Sequence, residues 1–452
     1  MPDAKKLARQ EREFESFVHS EVLGSIILLV CAVVALVWAN SPWSEGYFHL
    51  VHTDAGLWWG ADHHSMSLQH WINDGLMVIF FFVVGLEIKR ELLLGHLSSF
   101  RQASLPVMAA LGGVLVPAGI YFAFNFGTET VQGWGIPMAT DIAFALGILA
   151  MFGKRVPIGL KVFLTALAIA DDLAAVLVIA LFYTQQINFV PLIIAGVLMV
   201  PLLVAFRMRL RRVDVMMLLI IGVWAGVFAS GIHATVAGVL MAFLVPVKVR
   251  IEPQKLIDLA SESLEKLGRD DVTEDSMIEK HDQLEVIEDL HQSTRHLVPF
   301  GLALEHYLHP LQTLLVLPLF ALFNAGVSIG EQSFGSTVSL GIVLGLFLGK
   351  PIGIMAFSWL TVMLRLAKLP EGVNWGQIFG TGCLAGVGFT MSIFITDLAF
   401  DDEALISDAK LSIVIASVLA GIVGYVVLRR VLPKAADETQ PKTEPTASPD
   451  DH

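Results

Sequence analysis

Cysteine is scarce in this 452-residue chain, which has two, Cys31 and Cys383. They lie in apolar runs far apart, so no disulfide framework or cysteine metal centre is expected, and both read as packing residues. Charge is scarce as well. Asp, Glu, Lys and Arg supply 16% of residues while hydrophobic types supply 55%, against roughly 25% charged in an ordinary soluble domain. That balance excludes a water-soluble fold, since the chain holds more apolar surface than one core can hide. The net charge of −13 does not indicate a basic partner. Its excess acid sits in one loop and the C-terminal tail, so nucleic acid is not expected to bind.

What the chain has instead is long apolar runs. They cover Val22 to Ala39, Trp71 to Leu94, Ser104 to Phe126, Gly133 to Phe152, Pro157 to Tyr183, Phe189 to Phe206, Val213 to Ser230 and Ile232 to Val247. After a polar insertion come His309 to Ile329, Thr337 to Leu364, Trp375 to Thr396 and Leu411 to Leu432. Each approaches the roughly 20 residues a helix needs to cross the hydrocarbon core. The expected fold is therefore an all-α polytopic membrane protein with twelve transmembrane helices. The first run is followed by Asn40-Ser-Pro-Trp rather than a small-residue cleavage site, so it reads as a span and not a signal peptide.

Lys and Arg orient these spans. Segments Ser41 to His70, Asn125 to Gln132, Thr184 to Asn188, Gly330 to Ser336 and Asp397 to Ala409 contain neither residue. Lys89, Arg90, Arg101, Lys154, Arg155, Arg207, Arg212, Lys248, Arg365 and Arg429 all fall at the alternate ends. The positive-inside rule then places both termini in the cytoplasm, and an odd number of spans would scramble the asymmetry.

Segments outside the spans divide the rest. Residues 1–21 have a weak apolar face and read as a short interfacial helix; 22–247 carry spans one to eight and 309–432 spans nine to twelve. Residues 248–308 form an acidic cytoplasmic insertion with roughly helical leucine spacing, and 433–452 read as a disordered tail. The outer loop Ser41 to His70 carries His49, His52, His63, His64 and His70. Its histidines show no recognised metal spacing, so a solvated or subunit-contact loop is expected rather than a zinc site.

The chemistry lies in the deep polar residues Asp74, Asp141, Asp171, Asp172, His233 and Lys350. A carboxylate at mid-membrane costs roughly 3 kcal/mol on insertion scales. Asp171 and Asp172 stand side by side within an apolar run. Adjacent helix positions diverge by about 100°, so one aspartate is placed to pair with Lys350 while its neighbour faces a cavity. A lone Asp–Lys pair is explained equally well as a brace between helices. A second carboxylate beside it is better explained by a site that holds a proton and a hard cation in turn.

Two spans also carry backbone breakers. Span four contains Gly133-Trp-Gly-Ile-Pro-Met-Ala-Thr-Asp, and span eleven contains Gly380-Thr-Gly-Cys-Leu-Ala-Gly-Val-Gly-Phe-Thr. Interruptions in corresponding positions of two halves point to discontinuous, crossed helices within inverted repeats, here spans three to five and ten to twelve. Asp141 is placed to offset helix N-terminal ends at the crossing and Lys350 the carbonyl ends.

Taken together, Asn73-Asp-Gly-Leu-Met-Val-Ile-Phe-Phe-Phe-Val-Val-Gly-Leu-Glu-Ile-Lys-Arg-Glu, Ala139-Thr-Asp-Ile-Ala-Phe-Ala-Leu-Gly, Ala168-Ile-Ala-Asp-Asp-Leu, Gly231-Ile-His-Ala-Thr and Leu348-Gly-Lys-Pro resemble the NhaA-type sodium/proton antiporter family. The resemblance runs from span one to span twelve. It implies an electrogenic, pH-responsive exchanger of sodium or lithium for protons in a bacterial inner membrane, forming a homodimer and using no cofactor. It also implies that Asp172 is the principal cation ligand, with Asp171 its partner tied to Lys350, and that Thr140 and Asp141 fill the span-four break. Glu87, Lys89, Arg90, Glu91 and Glu305 match the family's pH-responsive cytoplasmic mouth. His233 joins the pH-sensing or gating set by the resemblance, although a histidine beside Gly231 and Thr235 is ordinarily hydrogen-bonded packing, and Asp74 aligns with a further intramembrane acid of the family. The insertion before Glu305 is longer than the family leads one to expect.

Two other classes share part of this pattern. A sodium-coupled solute symporter would use the same broken helices but not the Asp-Asp plus Lys set. An intramembrane aspartyl protease needs two carboxylates converging on one water, whereas neighbours on one helix diverge, and the chain has no Gly-x-Gly-Asp signal.

Overall fold

In lipid, a backbone without water must satisfy its own N–H and C=O groups, and an apolar run does so most simply as a helix. The computed structural model describes residues 22–59, 62–184, 187–208, 212–247, 299–328 and 335–433, together with residue 261. The expected interfacial helix at 1–21, most of the insertion and nearly all of the tail lie outside the described residues.

The long helices are α1 (Val22–Ala39), α3 (Leu68–Leu93), α4 (Phe100–Asn125), α6 (Ile158–Phe182), α7 (Phe189–Met208), α10 (Phe300–Asn324), α11 (Thr337–Met363) and α14 (Glu403–Val431). Glu129–Ala150 is also long and apolar enough to cross a membrane, which makes nine such segments among the described residues. It consists of a 3-10 helix over Glu129–Met138 and α5 (Ile142–Ala150). A tenth arises if α12 (Trp375–Ala385) and α13 (Phe389–Ala399), bent by 46°, count as one. Two shorter apolar helices, α8 (Val213–Ala229) and α9 (Ala234–Leu244), occupy the seventh and eighth expected spans. The chain is thus a multi-pass membrane protein.

Boundaries moved where polar residues are buried. Helix α10 begins at Phe300, inside the stretch that composition assigned to the insertion, and so takes in Glu305. Helix α14 begins at Glu403, capped by Asp402, well before the expected Leu411. In the outer loop, helix α2 (Ser44–Val51) is followed by an antiparallel ribbon of β1 (Asp54–Trp59) and β2 (Asp62–Ser67), with Asp54 opposite Ser67 and Trp59 opposite Asp62. Tyr47 ties this loop down by donating from its hydroxyl to Leu322 O, 2.9 Å away on α10.

Among the described residues, three buried apolar clusters join the helices. One unites α4, α5, α6, α11, α12 and α14, the spans read as the repeat pair. Another unites α3, α7, α8 and α9 with the start of α10. The third lies between these groups and includes residues of α1, α3, α10 and α13. Helices α4 and α11 pack backbone to backbone, because a Cβ at Gly112 would collide with Gly353 O and one at Gly353 with Gly112 O. Small residues permit such close approach in membranes. Elsewhere the surface is apolar, as at Val37, Leu181, Phe189 and Ile193.

Among the described residues, three helices contain a π-helical turn: Ile72–Leu76 in α3, Gln312–Val316 in α10 and Gly345–Gly349 in α11. Each turn contains or adjoins a polar side chain at membrane depth: Asn73 and Asp74, Gln312 and Thr313, or Lys350. Such bulges often mark functional positions because the extra residue re-aims its neighbours.

Candidate functional site

The site is built where two interruptions meet. Between Met138 and Ile142 the backbone is extended, with Ala139 at φ −79° and ψ 150° and Asp141 at φ −93° and ψ 101°. The second gap, Gly386 to Gly388, separates α12 from α13. Groups freed by the gaps satisfy each other across the crossing. Asp141 N–H donates to Val387 O at 2.7 Å, and Thr140 Oγ1 donates to Ala385 O at 2.8 Å. A Cβ at Gly388 would press on Ala139 O, so glycine lets the strands touch.

Both α5 and α13 start at this crossing and point positive N-terminal ends at it. Asp141 answers both. Its Oδ1 caps α5 by accepting from Phe144 N–H at 3.2 Å, and its Oδ2 accepts from Thr390 N–H at 3.1 Å and Thr390 Oγ1 at 2.5 Å. The carboxylate is buried and fully engaged. Thr390 was legible as the residue closing the glycine-rich break of span eleven, but its role as the partner of Asp141 was not.

Lys350, 1% exposed on α11, donates to Asp171 Oδ2 at 2.7 Å and to Thr140 Oγ1 at 2.8 Å. Because Thr140 in turn holds Ala385 O, the ammonium is linked to the carbonyl end of α12. Asp171 Oδ1 has no hydrogen-bond partner among the described residues. Asp172, 2% exposed by residue, turns away from this pair and lines a cleft of about 80 Å³. Thr140, Asp141, Thr165, Thr390, Gln312 and Thr313 share its walls, and Glu87, Arg90, Glu305 and His309 line it too. The divergence expected of neighbouring helix positions is therefore present. One aspartate is paired, and the other faces a polar cleft.

The remaining candidates separate. Arg90 Nη1 meets Glu305 Oε1 at 2.6 Å, joining α3 to α10 beside the cleft. Glu91 faces elsewhere and accepts from His96 N–H at 2.7 Å, fixing the turn after α3. Lys89 donates to the carbonyls of Phe243 and Val245 at the end of α9, a helix-end contact. His233 Nε2 lies 2.7 Å from Tyr183 O at the far end of α6. Asp74 contacts His70 Nε2 at 3.0 Å, and its carbonyl accepts from Trp224. His233 and Asp74 do not line the cleft.

A membrane bundle with a buried lysine–aspartate pair, a free-facing second aspartate and two interrupted helices defines the class of a secondary ion exchanger. Comparison with known proteins supplies the particular family. The model of the family described as Na+/H+ antiporter 1 matches residues 15–428. A Na(+)/H(+) antiporter NhaA of Wolinella succinogenes is 45% identical over 412 residues, 91% of each chain. One from Oleidesulfovibrio alaskensis is 46% identical, covering 93% of this chain and 94% of that protein, and one from a Shewanella species is 44% identical, covering 94% and 99%. The chain belongs to the Na+/H+ antiporter 1 family, whose members are transporters and not enzymes, so the protease alternative falls.

Proposed function

We propose that this family member exports sodium in exchange for protons at a single site whose occupants exclude one another. The observation carrying this reading is the division of labour at Asp171 and Asp172. Asp172 is the cation ligand, open to a cleft lined by threonine and glutamine oxygens suited to a hard ion. Asp171 is held by Lys350, and the pair stores or releases a second proton as the ammonium and carboxylate part. Asp141 and Thr140 stabilise the crossing.

Twelve crossings with both termini in the cytoplasm agree with the Lys and Arg asymmetry, and α12 with α13 and the Glu129–Ala150 segment are read as the two discontinuous, crossed spans. Protons leave Asp171 and Asp172 toward an alkaline cytoplasm, and sodium enters by the cleft beside Glu87, Arg90 and Glu305. The cluster of spans three to five and ten to twelve then moves against the other helices and exposes the site outward. Two protons against one sodium would make the exchange electrogenic. Lithium, a smaller hard cation, is accepted at the same carboxylate. Glu87, Arg90, Glu305 and His309 form the mouth whose charge sets the pH response, while Lys89, Glu91 and His233 act through packing. Residence in a bacterial inner membrane and a homodimer touching through the Ser41 to His70 segment complete the reading.

A sodium-coupled symporter would leave Lys350 without a task in proton release. In everted vesicles with an acid-inside gradient, adding sodium releases internal protons, and Asp172→Asn abolishes that release. Sodium without effect from about pH 6.5 to about pH 9, or solute-dependent sodium uptake, would sink the antiporter account.

A further inference from the structure

A second buried ion pair lies outside the site. Lys410 Nζ on α14 meets Asp397 Oδ1 on α13 at 2.7 Å, with side-chain exposures of 6% and 14%. The other oxygen of Asp397 accepts from Asn73 Nδ2 on α3 at 3.2 Å. Asn73 and Asn324 of α10 then form a reciprocal amide pair, at 3.2 and 2.8 Å. Gln69 adds a donor to Asn324 Oδ1 at 2.9 Å. Charge and amide groups thus bridge α13 and α14, which belong to the spans proposed to move, to α3 and α10, which do not.

Position gives the network its meaning. On α13, Asp397, Phe394 and Thr390 stand three and four residues apart and so share one face. Thr390 holds Asp141 at the site. Phe394 packs on Phe81 of α3 and Phe320 of α10, with ring centroids 5.5 and 6.1 Å apart. Asp397 reaches the network. Phe80, Val84, Leu317 and Met391 line the cleft below this aromatic layer. Beyond the site, in order, lie an aromatic plug and a polar clasp.

Resting on the exchange reading, we infer that Asn73, Asn324, Asp397 and Lys410 form the outer lock of the transport cycle: they hold α3 and α10 to α13 while the site faces the cleft and must separate before it opens outward. Lys410 is the positioning residue that aims Asp397 at Asn73.

The test uses the full chain in right-side-out and everted vesicles, with Cys31 and Cys383 replaced by serine and Met77→Cys as reporter. Met77 is buried on α3, four residues inward of Asn73. Asn73→Ala, and Asp397→Asn combined with Lys410→Gln to avoid a stranded charge, should each raise labelling by an impermeant maleimide from outside several-fold. Labelling from inside should not rise, and Asp397→Glu should restore the slow outside rate. Unchanged outside labelling, or an equal rise from both faces, overturns the lock. Sodium-driven proton release by the parent protein reports separately on the exchange reading, so its failure is told apart from failure of the lock.

Discussion

Asp171 and Asp172 are consecutive residues with different surroundings, and that difference fixes what each substitution should do. Asp172→Asn removes one carboxylate from the cleft and leaves the Lys350–Asp171 contact intact. The protein should fold normally and lose sodium-driven exchange, a loss read by vesicle fluorescence alongside an unchanged melting profile. Lys350→Ala strands Asp171 in a buried place. Removing one partner of a buried pair costs about 3–5 kcal/mol, to be seen as a lowered denaturation midpoint of the purified protein. The charged cluster near Arg90 divides similarly. Lys89→Met should lower stability by about 1 kcal/mol through loss of a helix-end contact and leave the pH profile of exchange in place. Glu305→Gln, which removes Arg90's partner, should shift that profile. From sequence these residues looked alike, since a charge at a helix end carries no sign of which way it points. That one aspartate of the pair meets Lys350 was legible because a mid-membrane lysine needs an anionic partner, and the family resemblance pointed to Asp171. Asn73, Asn324 and Asp397 were not, because amides and an apparent loop acid look ordinary until three helices bring them together.

Elements tell a related story about backbone. Breakers in two spans announced the interruptions, and both lie where Gly, Pro and Thr allow the backbone to leave the helix. The π-helical turns before Lys350 and around Asn73 were not anticipated, since the glycines within them, Gly345, Gly349 and Gly75, suit close helix packing equally well. Helix starts at Phe300 and Glu403 were also missed, because burial of Glu305 and Lys410 was invisible in hydropathy. The crossing of α4 and α11 offers a controlled test. Gly353→Leu cannot be fitted against Gly112 and should destabilise by more than the roughly 1–3 kcal/mol of ordinary overpacking. Gly119→Leu, where nothing lies within 4 Å of the added Cβ, should leave the melting profile unchanged.

Across the whole molecule, the helices sort into two packed groups with the carboxylates between interruptions of one group and a cleft against the other. The boundary between the groups, along which the exchange reading has one group move, also brings the cleft to Asp172. The class, a multi-pass helical membrane protein, followed early from the apolar runs, a long-range property that survives errors at single positions. The central claim is that sodium and protons compete for Asp172 and its partner. Purified protein in weak buffer measures it directly: adding sodium should release protons into solution, and apparent sodium affinity should fall about tenfold for each unit by which pH is lowered, where one proton is displaced. Asp172→Asn should abolish both effects. Sodium binding without proton release, or with an affinity unchanged by pH, would contradict the account.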